Sequence, residues 1–126
     1  MRVKMMMAAV AAATMLSGAV QAQTAPEQGQ YQAALERMMS ETTQGRCPED
    51  VMAPELLDAC ASQIAQMAPG LQSLGAIESI TFLRAEGQGT ERVEFYAVKY
   101  AAGVTLNWGI GGLVGGKYNT AFAQNG

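Results

Sequence analysis

Thr105-Leu106-Asn107-Trp108-Gly109-Ile110 alternates large apolar residues with polar or small ones at a period of two, and Phe95-Tyr96-Ala97-Val98-Lys99-Tyr100 does the same upstream. Successive side chains of a strand point to opposite faces, so each run reads as a strand with one buried face. Ala101-Ala102-Gly103 makes a tight return between them. Outward on the N-terminal side, Ile80, Phe82 and Arg84 share one face of another strand, with Thr81 and Leu83 on the other. Glu86-Gly87-Gln88-Gly89-Thr90 supplies the turn. Outward on the C-terminal side, Gly111, Gly112, Gly115 and Gly116 form a glycine-rich turn, and Tyr118, Thr120 and Phe122 a last strand. Gly109 and Gly111 read as a bulge or bend. An antiparallel meander of about four strands results.

Before residue 75 the period is helical. Tyr31, Leu35, Met38, Met39 and Thr42 recur at spacings of three and four until Gln44-Gly45 stops the segment. A second helix opens at Pro54, where a missing N–H costs nothing. Glu55 and Asp58 suit its positive end. Leu56, Leu57, Cys60, Ile64 and Met67 form its stripe, and Pro69-Gly70 closes it. Two helices followed by a meander predict an α+β fold, with both helices packed on one face of a curved antiparallel sheet.

The first residues read as an export signal. Arg2 and Lys4 precede an apolar stretch from Met5 to Leu16, and Val20-Gln21-Ala22 places small residues where signal peptidase cuts. The stretch is shorter than the ~20 residues of a spanning helix. The organisation expected is a cleaved signal over 1–22, a loose leader over 23–30 and a single domain over 31–126, periplasmic or secreted, with no membrane attachment after cleavage. Without Arg2 and Lys4, six basic residues face eleven acidic ones. No basic cluster exists, which argues against nucleic acid as a partner. Cys47 and Cys60 are the two cysteines. In an exported chain they predict one disulfide, the alternative being two buried thiols.

Catalytic chemistry finds little to use. The chain has no histidine, so Ser-His and Cys-His pairs and the commonest metal ligand are missing. No cofactor is expected. Glu86, Glu91 and Glu94 read as solvated edge charges around a turn rather than an acid pair. The glycines from Gly109 to Gly116 match no phosphate-binding spacing. Tyr96, Tyr100, Trp108, Tyr118 and Phe122 fall on one period-two set. This set is either the core face under the helices or, at one end, a pocket lined by Tyr96, Tyr100, Trp108 and Tyr118.

The run Leu74-Gly75-Ala76-Ile77-Glu78-Ser79-Ile80-Thr81-Phe82, then Tyr96-Ala97-Val98-Lys99-Tyr100, Gly103, Trp108, Ile110 and Gly116-Lys117-Tyr118 resembles small α+β modules of the nuclear transport factor 2-like (cystatin-like) class. Such modules are found alone or appended to beta-lactamase-related serine hydrolases. Val114-Gly115-Gly116-Lys117 departs from the Asp-Gly-Lys of the closing hairpin, and the cysteine pair lies outside the pattern. The resemblance covers about residues 52–120 and implies a fold but no catalytic residues. The functional expectation is an exported, non-catalytic module binding a small apolar ligand or a protein partner. The alternatives are a cone-pocket enzyme using Tyr and Glu, and an interaction or inhibitor protein acting through an edge strand.

Overall fold

A computed structural model describes residues 29–125, so the export signal expected over 1–22 and the cut expected after Ala22 lie outside the described residues. The order is α1 (Gln32–Thr43), α2 (Pro54–Leu74), β1 (Ile77–Glu86), a short 3-10 turn (Gly89–Glu91), β2 (Val93–Tyr100), β3 (Thr105–Val114) and β4 (Lys117–Asn125). The four strands form one antiparallel sheet in the order β1-β2-β3-β4. The sheet is curved and open, and the helices lie on one face of it, giving the α+β arrangement that the periodicities predict. Leu35 of α1 meets Tyr96, Val98 and Ile110 of the sheet in the buried core.

The second helix runs past its expected stop. Pro69 sits inside α2, which continues to Leu74 and closes at Gly75. Proline removes one backbone bond and crowds the preceding turn. Pro69 itself is exposed, while Ala68 and Leu71 on the other side are buried. The apolar stripe therefore continues across the proline. The Gln72 side chain also donates to the Thr43 carbonyl, 2.8 Å away, and ties the last turn of α2 to the end of α1.

Two strands change face where simple alternation would not. In β1 the register shifts between Phe82, opposite Tyr96, and Arg84, opposite Phe95. Leu83 is the extra residue, and Arg84 turns away from the core to lay its guanidinium 4.2 Å from the centre of the Phe95 ring. In the β3–β4 hairpin the pairing skips Gly112, whose φ of 70° lies in the left-handed region. Alternation breaks there rather than at Gly109 or Gly111, through which the ladder with β2 is continuous. Tyr118 consequently packs in the core against Tyr31, with ring centres 5.0 Å apart. Phe122 falls on the opposite face, over Gly109 and 6.0 Å from Phe95. Phe122 is thus not part of the aromatic set beneath the helices.

Cys47 and Cys60 form a disulfide that ties the α1–α2 connection to the second turn of α2. A loop of this length stabilises by up to about 3 kcal/mol in the chain-entropy model. Such bonds persist in oxidising, non-cytoplasmic settings. No helix among the described residues is long and apolar enough to cross a membrane.

Trp108 is buried and Thr105 exposed on the same strand. Trp108→Ala should cost about 3–5 kcal/mol, and Thr105→Ala no more than about 0.5 kcal/mol. Urea melts of the two variants check the register; equal losses would contradict it.

Candidate functional site

Two features stand out on the helix-covered face: a buried carboxylate at one end and a cavity in the middle. Stepping back by twos along β2 from Tyr100 through Val98 and Tyr96 lands on Glu94, and all four are buried. Glu94 is fully inaccessible to solvent, which corrects its reading as a solvated edge charge. Glu86 and Glu91 do remain exposed. The period-two pattern of β2 puts Glu94 on the buried face, whereas its charge alone argues for solvent.

The burial of Glu94 is compensated by donors. Its Oε1 accepts from the Gln30 N–H at 2.9 Å, the Tyr31 N–H at 3.0 Å and the Tyr96 hydroxyl at 2.5 Å. Its Oε2 accepts from the Arg92 Nε–H at 2.9 Å. Gln30 and Tyr31 stand at the mouth of α1, which has no side-chain cap and no acid in its first turn. The first N–H groups of a helix lack intrahelical partners and sit at its positive end. Glu94 therefore caps α1 from the sheet. Gly29 lets the chain pass close over the ring of Tyr96, since any side chain there would strike the Tyr96 hydroxyl. Burial pushes the Glu94 carboxyl up, but the bonds from Tyr96, Gln30, Arg92 and Tyr31 together outweigh it and hold the group below its ordinary value. Burial, and then the bond to Glu94, push the Tyr96 hydroxyl well above its ordinary value.

The cavity, of about 110 Å³, lies between α1, α2 and the sheet. Leu35, Met38 and Met39 line it from α1, Met52 from the connection, Leu56, Cys60 and Met67 from α2, and Trp108 and Ala121 from the sheet. Ala59 and Gln63, also in the lining, are exposed and mark its mouth. Of the four aromatic residues expected to line a pocket, Trp108 does so. No family model, curated protein or solved structure matches this chain.

The other three aromatics support the cavity or stand apart from it. The Trp108 indole N–H donates to the Tyr100 hydroxyl at 2.9 Å, and that hydroxyl donates to the Met39 sulfur at 3.3 Å. Tyr100 thus anchors two walls while facing a separate shallow depression beside Leu71 and Ile77. Burial raises its hydroxyl pKa, and the indole bond partly opposes that. Tyr96 is held by Glu94 and meets Phe82 edge-on, with ring centres 5.5 Å apart. Tyr118 belongs to the contact with Tyr31, and burial raises its hydroxyl pKa as well. Among the described residues, no group of His, Cys, Asp and Glu side chains is arranged to hold a metal.

Removing the cap has a calculable consequence. Glu94→Ala removes the acceptor of the Gln30 amide, one of the two acceptors of the Tyr31 amide, which also donates to the Tyr96 hydroxyl, and the carboxylate facing Arg92, and should cost about 3 kcal/mol. Glu94→Gln keeps the shape and removes the charge. A carboxyl whose folded pKa is depressed stabilises fully above its unfolded value, about 4.3, and loses that contribution as pH falls through the lower folded value. The stability gap between the native protein and Glu94→Gln, read by urea melts, should therefore be widest near neutrality and close in acid. A gap independent of pH would contradict the charged cap.

Proposed function

We propose that this domain is an exported, non-catalytic binding module of the nuclear transport factor 2-like type, and that it takes a small apolar ligand in the cavity between its helices and its sheet. The observation that carries this reading is the cavity itself, roofed by Leu35, Met38 and Met39 and floored by the domain's single tryptophan. At about 110 Å³ it is far below the roughly 300 Å³ and more of drug-sized sites. It is nearer the ~150 Å³ of an engineered apolar cavity that binds benzene. The ligand class is accordingly a molecule of a few heavy atoms, or the apolar end of a longer one. Four methionine side chains in the wall favour such a role, because unbranched thioethers repack around different shapes.

Glu94 and Tyr96 would be the acid and phenol of an enzymatic reading. Both are spent on holding the start of α1, and Glu94 is fully buried, which supports the non-catalytic reading over the enzymatic alternative. Export is supported by the signal-like pattern over residues 1–22 and by the disulfide. The family assignment rests on the Leu74–Phe82 and Tyr96–Tyr100 runs.

Benzene is a suitable probe, with Trp108 emission as the readout. A saturable change is expected in the native protein. Ala121→Leu adds bulk to the cavity from β4 and should weaken binding by at least about tenfold while the protein stays folded. No saturable response, or an affinity unchanged in Ala121→Leu, would overturn the reading.

A further inference from the structure

The two edges of the sheet are built differently. β1 has register shifts between Ile77 and Ser79 and between Phe82 and Arg84. It also carries Glu78, Arg84 and Glu86. Bulges and charges are the devices by which an edge strand repels a further strand. β4 lacks them from Ala121 onward, where it pairs with β3 without a shift, and Tyr118–Asn125 contains no charged residue and no proline.

The backbone shows which groups of β4 are unpaired. The Tyr100 N–H donates to the Val104 carbonyl and the Gly112 N–H to the Arg92 carbonyl. The alternating ladder between them directs the groups of Leu106, Trp108 and Ile110 to β2. Those of Asn107, Gly109 and Gly111 therefore face Gln124, Phe122 and Thr120 of β4. The intervening Ala121 and Ala123 point their N–H and C=O groups out of the sheet. Further up, beyond the break at Gly112, Tyr118 also points outward. Its N–H donates to Val51 and its carbonyl accepts from Ala53 before Pro54 turns the chain into α2. The edge thus already holds the short segment 51–53 in a single parallel bridge at one end and is left open at the other, among the described residues.

We propose that a second copy of this chain covers this edge, antiparallel, about a two-fold axis at Phe122, joining the two sheets into one. The axis falls midway between Ala121 and Ala123, so that each of these exchanges backbone bonds with the other in the partner subunit. Phe122 then lies opposite Phe122 of the partner subunit in a non-hydrogen-bonded pair, where side chains approach most closely. That ring is half-buried in one copy, on the face away from the helices and beside Phe95. A two-fold contact must be self-complementary, and a neutral strand meets its own copy without like charges in opposition. A foreign peptide would find no charge here to select it. This inference is independent of the ligand cavity.

Sedimentation equilibrium of the purified protein should show a dimer. The same register sets Thr120 opposite Gln124 of the partner subunit, and both side chains lie on the face away from the helices. Thr120→Lys with Gln124→Lys therefore opposes like charges twice and should weaken self-association by at least about tenfold, with an unchanged circular dichroism spectrum. Mixing that chain with one carrying Thr120→Glu and Gln124→Glu should restore a mixed dimer. Ala123→Pro removes only an outward N–H, which an edge strand tolerates, and should give a folded monomer. A native protein that stays monomeric at its highest soluble concentration would overturn the proposal. So would a dimer indifferent to both variants, or a native monomer that pairs with an unrelated peptide strand instead.

Discussion

The carboxylate of Glu94 sits where the helical layer meets the sheet, and each side of that contact resolves a problem of the other. A buried carboxylate without donors would be strongly destabilising. A helix whose first turn carries neither a capping side chain nor an acid leaves its leading amides unsatisfied. Glu94 supplies the missing acceptor from β2, and the amides of Gln30 and Tyr31 supply part of what the carboxylate lacks. Arg92 and Tyr96 complete the set. The contact spans more than sixty residues of sequence, so it forms only when helix and sheet are correctly placed.

The position of α1 decides the shape of what lies beneath it. Once Tyr31 is held against Glu94 and Tyr118, Leu35, Met38 and Met39 follow at helical spacing over Trp108. The far wall is fixed separately. Cys60 lies in the cavity lining, and its bridge to Cys47 restrains α2 against the connection that carries Met52. The cavity is therefore framed by one polar anchor and one covalent tie. The wall between them is largely methionine and leucine, where some rearrangement is cheap. The Trp108–Tyr100–Met39 chain of hydrogen bonds links floor to roof across the same space.

Much of this was legible in the residues themselves. Period two in β2 and β3 and period 3.6 in α1 assigned the elements and the buried face, and two cysteines behind an export-like N-terminus predicted the bridge. Each departure has a local physical cause. Pro69 reads as a helix stop because its own geometry argues for one, while Ala68 and Leu71 hold the helix together by tertiary contacts. Arg84 and Phe122 changed face because a one-residue shift at Leu83 and a left-handed glycine at Gly112 each reset the alternation. Glu94 was hidden by its charge, since two of its four donors are backbone amides more than sixty residues away, which no side-chain pattern reveals. Of the expected pocket residues, the sequence could place Tyr96, Tyr100 and Tyr118 on the inner side of the sheet. It could not show that other groups would claim their hydroxyls or rings.

The claim that a sheet carboxylate caps the first helix is tested most directly by nuclear magnetic resonance. A pH titration would follow the Glu94 side-chain carboxyl carbon together with hydrogen exchange at the amides of Gln30 and Tyr31. The account predicts a carboxyl that titrates below the ordinary glutamate value, with both amides protected at neutral pH and losing protection as that group protonates. A Glu94 titrating at the ordinary value, beside amides that exchange as freely as those of an uncapped helix end, would contradict it.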